Sequence, residues 1–210
     1  MLVTRIVKKG KKDVTIQFDE DKFLILALEV FLKSGLKKGD ELSDDRFSAL
    51  IEENKLFHIK QKAFRLLGRR QHASSELKRK LWQRDYEQKL IDEVINDLSK
   101  GGYLNDKDFI CEFVTEKSKS KKWSSNKIKS ELMKKGIDNK LIDSSFEPIS
   151  KSEEFENAFS LGQKKYNTIS KRTEDKRQLK QKLSTYLYSR GFDYELIREV
   201  CDKLLTDDAE

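Results

Sequence analysis

The stretch Leu77-x3-Leu81-x2-Arg84-Asp85-Tyr86-x3-Leu90-Ile91 decides the fold, because the chain repeats it. It returns without gaps as Ile128-x3-Leu132-x2-Lys135-Gly136-Ile137-x3-Leu141-Ile142, and again as Leu183-x3-Leu187-x2-Arg190-Gly191-Phe192-x3-Leu196-Ile197. Self-similarity at a fixed spacing is the signature of a repeat architecture. Apolar residues four apart share one face of a helix. A basic residue then closes that helix, where it meets the negative end of the helix dipole. Next comes Asp85, Gly136 or Gly191, types that tolerate the left-handed backbone of a helix stop. The apolar residue after it is expected to fold back into the core. The Leu-Ile pair then opens the stripe of another helix, continued by Val94, Ile95 and Leu98 in the first copy and by Val200, Cys201 and Leu204 in the third.

Upstream of each copy a further short helix is predicted: Ala63 to Leu67, Phe109 to Val114 and Phe155 to Leu161. Each repeat therefore reads as three short helices. One such unit buries little by itself, so neighbours should stack. With a single proline, Pro148, nothing interrupts long helical stretches.

The first sixty residues have a different texture. Val3, Ile6 and Val7, then the alternating Val14-Thr15-Ile16-Gln17-Phe18, predict two strands with a turn at Lys8 to Lys12 around Gly10. Phe23 to Leu28 fits a third strand or the start of a helix running to Ser34. Ser43 predicts an N-cap, with Asp44 and Asp45 in the first turn of a helix reaching Glu53. The fold class expected is mainly α: an elongated, curved tandem array of three three-helix repeats behind a small segment of short β-strands plus helix. Its parts are an N-terminal α/β extension over 1–54 and repeats over 55–106, 107–150 and 151–210.

Composition limits the function. Of 210 residues 39 % are charged and only 36 % hydrophobic, which suits thin helical layers better than one large core. Net charge is +7, which points to an acidic partner. The positive charge is placed, not scattered. Arg65 to Arg84 holds seven basic residues against Glu76; Lys117 to Lys135 holds eight lysines against Glu131; Lys164 to Lys182 holds eight basic residues against Glu174 and Asp175. The second half of the repeat is acidic, with Asp92 and Asp97 in the first and Asp202, Asp207 and Asp208 in the last. Either basic helices interlock with the acidic helices of the next repeat, or they line up as a positive track for a polyanion or an acidic groove.

No phosphate-cradling glycine loop, nucleophile elbow or metal-ligand cluster is present, so no catalysis and no cofactor are expected. Cys111 and Cys201 lie among apolar residues and read as buried, inert thiols of a protein in a reducing cytosol. The opening Met1 to Lys12 lacks the apolar core of a signal peptide, and the longest apolar run, Phe23 to Leu28, is far too short to span a bilayer. Trp82, beside Leu81, reads as core or inter-repeat packing. Trp123 reads as a staple in front of a helix capped by Ser124. His58 and His72 carry no ligand spacing.

Three segments resemble the RecX family. Arg69-Arg70-Gln71-His72-Ala73-Ser74-Ser75-Glu76-Leu77-Lys78-Arg79-Lys80-Leu81 is similar to its opening motif, as is Gly102-Tyr103-Leu104-Asn105-Asp106 with Phe109 behind it. In the third copy, Lys176-Arg177-Gln178, Leu183, Leu187, Tyr188-Ser189-Arg190-Gly191-Phe192 and Ile197 match best. Ala73 stands where the family has a hydroxyl cap, which Ser74 could supply one residue on. The resemblance implies a curved helical array that binds RecA–DNA filaments and modulates, usually inhibits, RecA ATP hydrolysis, strand exchange and co-protease activity in DNA repair and the SOS response. The partner it implies is the RecA nucleoprotein filament; beside it, weak contact to single- or double-stranded DNA, no membrane, and a monomer by default are expected. Candidate contacts are Arg69, Arg70, Lys78, Arg79, Lys121, Lys122, Lys127, Lys171, Arg172, Lys176, Arg177 and Arg190. The competing reading is a protein that binds DNA directly through tandem helical modules.

Overall fold

A computed structural model describes residues 1–19 and 21–206, which form three strands and ten helices. Asp207 and Asp208, counted above in the acidic half of the third repeat, lie outside the described residues. The chain divides into two compact units, Met1–Leu104 and the residues from Asn105 onward.

The first unit opens with an antiparallel sheet in sequence order: β1 (Val3–Lys9), β2 (Asp13–Phe18) and β3 (Phe23–Ala27). Gly10 makes the first turn at φ 67°. The period-2 pattern works as expected: Val14, Ile16 and Phe18 face inward with Leu24 and Leu26 opposite, in the register Ile16↔Leu24 and Val14↔Leu26. Both readings of Phe23 to Leu28 hold in part, since β3 ends at Ala27 and α1 (Leu28–Ser34) begins at once.

Next comes α2 (Asp44–Leu67), capped as expected by the Ser43 hydroxyl on the Arg46 N–H. Here the sequence reading needs correction. The helices expected at 44–53 and 63–67 are one helix of 24 residues, about 36 Å long. No proline or glycine interrupts it, and its apolar residues serve two cores in turn. Leu50 packs into the sheet cluster, while Ile59 and Ala63 pack into the first repeat. Asn54 ties the helix to β3, accepting from the Ala27 N–H at 2.8 Å and donating to the Ile25 carbonyl. The repeat is completed by α3 (Ser74–Trp82) and α4 (Gln88–Lys100), whose Leu77, Leu81, Leu90, Ile91, Val94 and Leu98 are buried.

The second unit holds α5 (Asp106–Lys121), α6 (Ser125–Lys134) and α7 (Asn139–Ser145), then α8 (Lys151–Ile169), α9 (Lys176–Ser189) and α10 (Tyr194–Thr206). As with α2, the leading helices α5 and α8 are longer than the short segments expected. The wider spacing before the third copy is taken up inside α9, which has 14 residues against 10 in α6. All three helix stops are left-handed: Asp85 at φ 58°, Gly136 at 80° and Gly191 at 88°. The residues behind them turn inward, with Ile137 and Phe192 buried and Tyr86 partly so. Among the described residues no helix is long and apolar enough to cross a membrane.

Repeats two and three are locked together at α6. The Ser124 N–H donates to the Arg190 carbonyl and the Ser125 N–H to Glu154 Oε1 at 2.7 Å, while the Ile149 N–H, just ahead of α8, donates to the Ser125 hydroxyl. Donors at the start of α6 are thus satisfied from the neighbouring repeat as well as by its own cap. Gly191 lets the α9–α10 turn come this close. A Cβ there would sit 2.6 Å from both Lys127 Cβ and Ser124 Oγ.

Three further expectations fail. Cys111 is exposed, because α5 turns Phe109 and Ile110 inward and the next residue lies some 100° round the helix; only Cys201 is buried. Trp82 is exposed for the same reason, since Leu77 and Leu81 hold the inner face of α3. The hydroxyl cap does not shift to Ser74 either. Ala73, fully buried, is the N-cap of α3, with no side-chain bond.

Candidate filament-binding surface

The twelve candidate cations fall into two groups. Arg69, Arg79, Lys121, Lys171, Arg172, Lys176 and Arg177 are exposed and have no ion pair among the described residues. Five are engaged. Arg70 reaches back to Glu76 with both guanidinium ends and donates to the Gln71 carbonyl. Glu76 is only 5 % exposed, and its hydrogen bond raises the Arg70 pKa above the ordinary arginine value. This pair braces the start of α3, where Ala73 offers no cap. Lys78 pairs with Asp92 at 2.5 Å and holds that carboxyl below its usual range. Lys122 ends α5 in the left-handed conformation and donates to the Ser160 hydroxyl on α8. Lys127 lies 3.5 Å from Glu131 and 5.9 Å from the Trp123 ring centre. Arg190 covers the ring of Tyr186 at 5.1 Å.

The fold brings Lys122, Lys127 and Arg190 to the junction of repeats two and three, around the cap of α6. Ser124 caps that helix as expected, accepting from the Lys127 N–H. Lys176 and Arg177 stand at the far end of α9 from Arg190, about 21 Å away along a 14-residue helix. Beside them, Asp175 caps α9 on the Arg177 N–H at 2.8 Å.

The charge interlock exists, but within repeats. Lys78–Asp92 joins α3 to α4, Lys129–Asp143 joins α6 to α7, and Lys180–Asp202 joins α9 to α10. The first two occupy equivalent places in their repeats. Exposed pairs of this kind contribute about 0–1 kcal/mol each, so they tune the packing without making it.

The sequence reading missed two features. One is a recurring exposed apolar side chain at the end of each second helix: Trp82, Met133 and Tyr188, at 61, 47 and 76 % exposure. Each directly follows the second buried leucine of the motif and precedes the basic residue by two. Alignment of the three copies carried this signal, since all three residues are large where a solvent-facing site has no need of it. The other is a set of cations along one face of α2.

Models of the RecX family match three stretches: the first three-helix domain over residues 60–98, the second over 105–145 and the third over 152–201. The regulatory protein RecX of Clostridioides difficile is 31 % identical over 209 residues, covering 99 % of this chain and 97 % of its own. That of Clostridium beijerinckii is 29 % identical over the full 210 residues. A crystal structure of regulatory protein RecX superimposes with a TM-score of 0.70 at 20 % identity, over 96 % of this chain and 98 % of that one. The structure of RecX from Lactobacillus salivarius gives 0.60 at 24 % identity, over 72 % of this chain and 97 % of its own. The structures support the fold, and the family models and full-length relatives go further: this chain belongs to the RecX family.

Proposed function

We propose that the chain is a regulator that binds RecA–DNA filaments and inhibits the ATP hydrolysis, strand exchange and co-protease activity of RecA, in DNA repair and the SOS response within the cytoplasm. It acts by occupying a surface, not by catalysis. Its repeats, over 55–106, 107–150 and 151–210, serve as successive contact modules. One observation carries the reading: each second helix ends in an exposed apolar side chain with a cation two residues on, Trp82 with Arg84, Met133 with Lys135 and Tyr188 with Arg190. Surface tryptophan, tyrosine, methionine and arginine are the types enriched at protein interfaces. A contact element repeated three times suits a partner that itself repeats.

The test reverses charge at Arg79, Lys121, Arg172 and Arg177, which are exposed and make no ion pair among the described residues. Co-sedimentation with RecA filaments on single-stranded DNA should fall steeply while thermal stability holds. Unchanged co-sedimentation would mean that these cations do not contact the filament.

A further inference from the structure

On α2, positions 55, 58, 62, 65 and 69 follow the three-then-four spacing that keeps residues on one helix face. They are Lys55, His58, Lys62, Arg65 and, just past the helix end, Arg69. Several neighbouring cations of the first unit are neutralised: Lys55 with Glu87, Lys60 with Asp97, Lys78 with Asp92, Arg70 with Glu76. Lys62, Arg65 and Arg69 have no ion pair among the described residues, nor does Arg84 at the end of the α3–α4 turn.

Arg65, Arg69 and Arg84 all lie close enough to Lys62 for their charges to act on it. The charge of Arg84 pushes the Lys62 pKa down, with partial burial and then Arg65 and Arg69 adding to it. A group of like charges held together is unfavourable until an anion enters. Lys62 and Arg65 line a cleft of about 430 Å³ between α2 and the turn at Asp85-Tyr86-Glu87. At His58, Gln61 and Arg65 it meets a second cleft of about 310 Å³, which runs to Lys11 and Lys12 on the β1–β2 hairpin. The carboxylates nearby do not quench the cluster. Glu87 is held by Lys55, and Asp13 and Glu29 lie in the second cleft, toward the hairpin. Among the described residues Asp85 alone shares the first cleft without an ion pair.

We infer that this trough is a phosphate-binding site that takes the phosphodiester backbone of a DNA strand, with Lys62, Arg65, Arg69 and Arg84 as its contacts and Lys11 and Lys12 continuing the path. The extended form of the two clefts, with cations along their length, fits a run of phosphates better than one ion. Two of the four contacts, Lys62 and Arg65, lie outside the filament contacts proposed above, while Arg69 and Arg84 are shared with them. The inference rests on that reading only for where the strand comes from, since a DNA strand lies within a RecA filament.

The experiment measures binding of the full chain to a fluorescent single-stranded oligo(dT) across a salt series. The variant K62A/R65A/R84A is compared with K33A/K37A/K38A, which removes the same charge elsewhere on the first unit. The site variant should bind at least about tenfold more weakly at low salt, with the slope of log K against log salt smaller by about 2, near 0.7 per lost phosphate contact. It should melt no lower than the unaltered protein, because it relieves repulsion. Equal losses in both variants would overturn the site. Competition by inorganic phosphate beyond that of chloride at equal ionic strength would overturn the strand in favour of a single-anion pocket. Loss of RecA-filament binding with oligo(dT) binding intact would assign the cluster to an acidic protein face and overturn the inference. If oligo(dT) binding fails in the site variant while the unaltered protein ignores RecA filaments, this site stands and the filament reading falls.

Discussion

Gly191→Ala is the sharpest perturbation of the repeat architecture. Gly191 sits at φ 88°, where an L-residue costs about 1–2 kcal/mol. Its new Cβ would lie 2.6 Å from Ser124 Oγ and Lys127 Cβ and 2.9 Å from the Lys127 backbone nitrogen. One of those atoms belongs to the cap of α6 and another to the helix backbone, so neither gives way freely. Overpacking of this kind adds about 1–3 kcal/mol. The total is about 2–5 kcal/mol on the second unit. Gly102→Ala is the matched control, with φ 75° and open space around the new methyl, so it should lose only the conformational part. Urea unfolding followed by fluorescence reads the two units separately: Trp123 in a Trp82→Phe background reports the second, and Trp82 in a Trp123→Phe background the first. If Gly191→Ala costs no more than Gly102→Ala, the close approach of repeats two and three does not constrain the turn.

Other outcomes follow from the same structure. Asp85→Gly relieves a non-glycine residue at φ 58° and should stabilise the first unit by about 0.5–1 kcal/mol in urea unfolding. Asp175→Ala removes the cap of α9 and should cost about 1 kcal/mol in the same assay. His72 is 5 % exposed and its Nδ1–H donates to the Arg70 carbonyl; burial first, and the Arg70 charge after it, lower its pKa in spite of that bond and of Glu76. A lowered folded pKa means that protonation favours the unfolded chain. The first unit should therefore keep its full stability above about pH 6.5, the unfolded histidine value, and lose it as pH falls toward the folded one. Comparing urea midpoints at pH 7.5 and 5.5 in the unaltered protein and in His72→Leu checks this, and the variant should show the smaller drop.

Much of the fold was legible because the physics that makes it is periodic. The buried leucines, the left-handed stop and the returning apolar residue each leave a mark at fixed spacing, and Asp85 shows that the stop could be read without glycine. The joining of two expected helices into α2 was not legible, since it depends on Leu50 and Ile59 finding different cores and on Asn54 stitching sheet to helix. Charge was the harder case. Composition located the basic helices, but Lys78 and Lys129 turn out to face the acidic helix of their own repeat, and Arg70 a buried glutamate. Which cations stay free is a matter of partners, and partners are set in three dimensions. The cationic face of α2 was visible in its spacing but began in residues 54–62, which the two helices expected at 44–53 and 63–67 left unassigned. Trp82 misled because tryptophan usually packs, and only its place next to Leu81 on a helix already full on its inner side puts it outside.

The central claim is that the chain regulates RecA filaments. The most direct measurement is RecA ATP hydrolysis on single-stranded DNA with this protein titrated in at substoichiometric amounts. The account predicts inhibition at well below one copy per RecA, because a filament binder blocks growth or promotes disassembly from few sites. No effect on hydrolysis, together with tight, salt-sensitive binding to bare DNA, would contradict it and leave a protein that binds DNA in its own right.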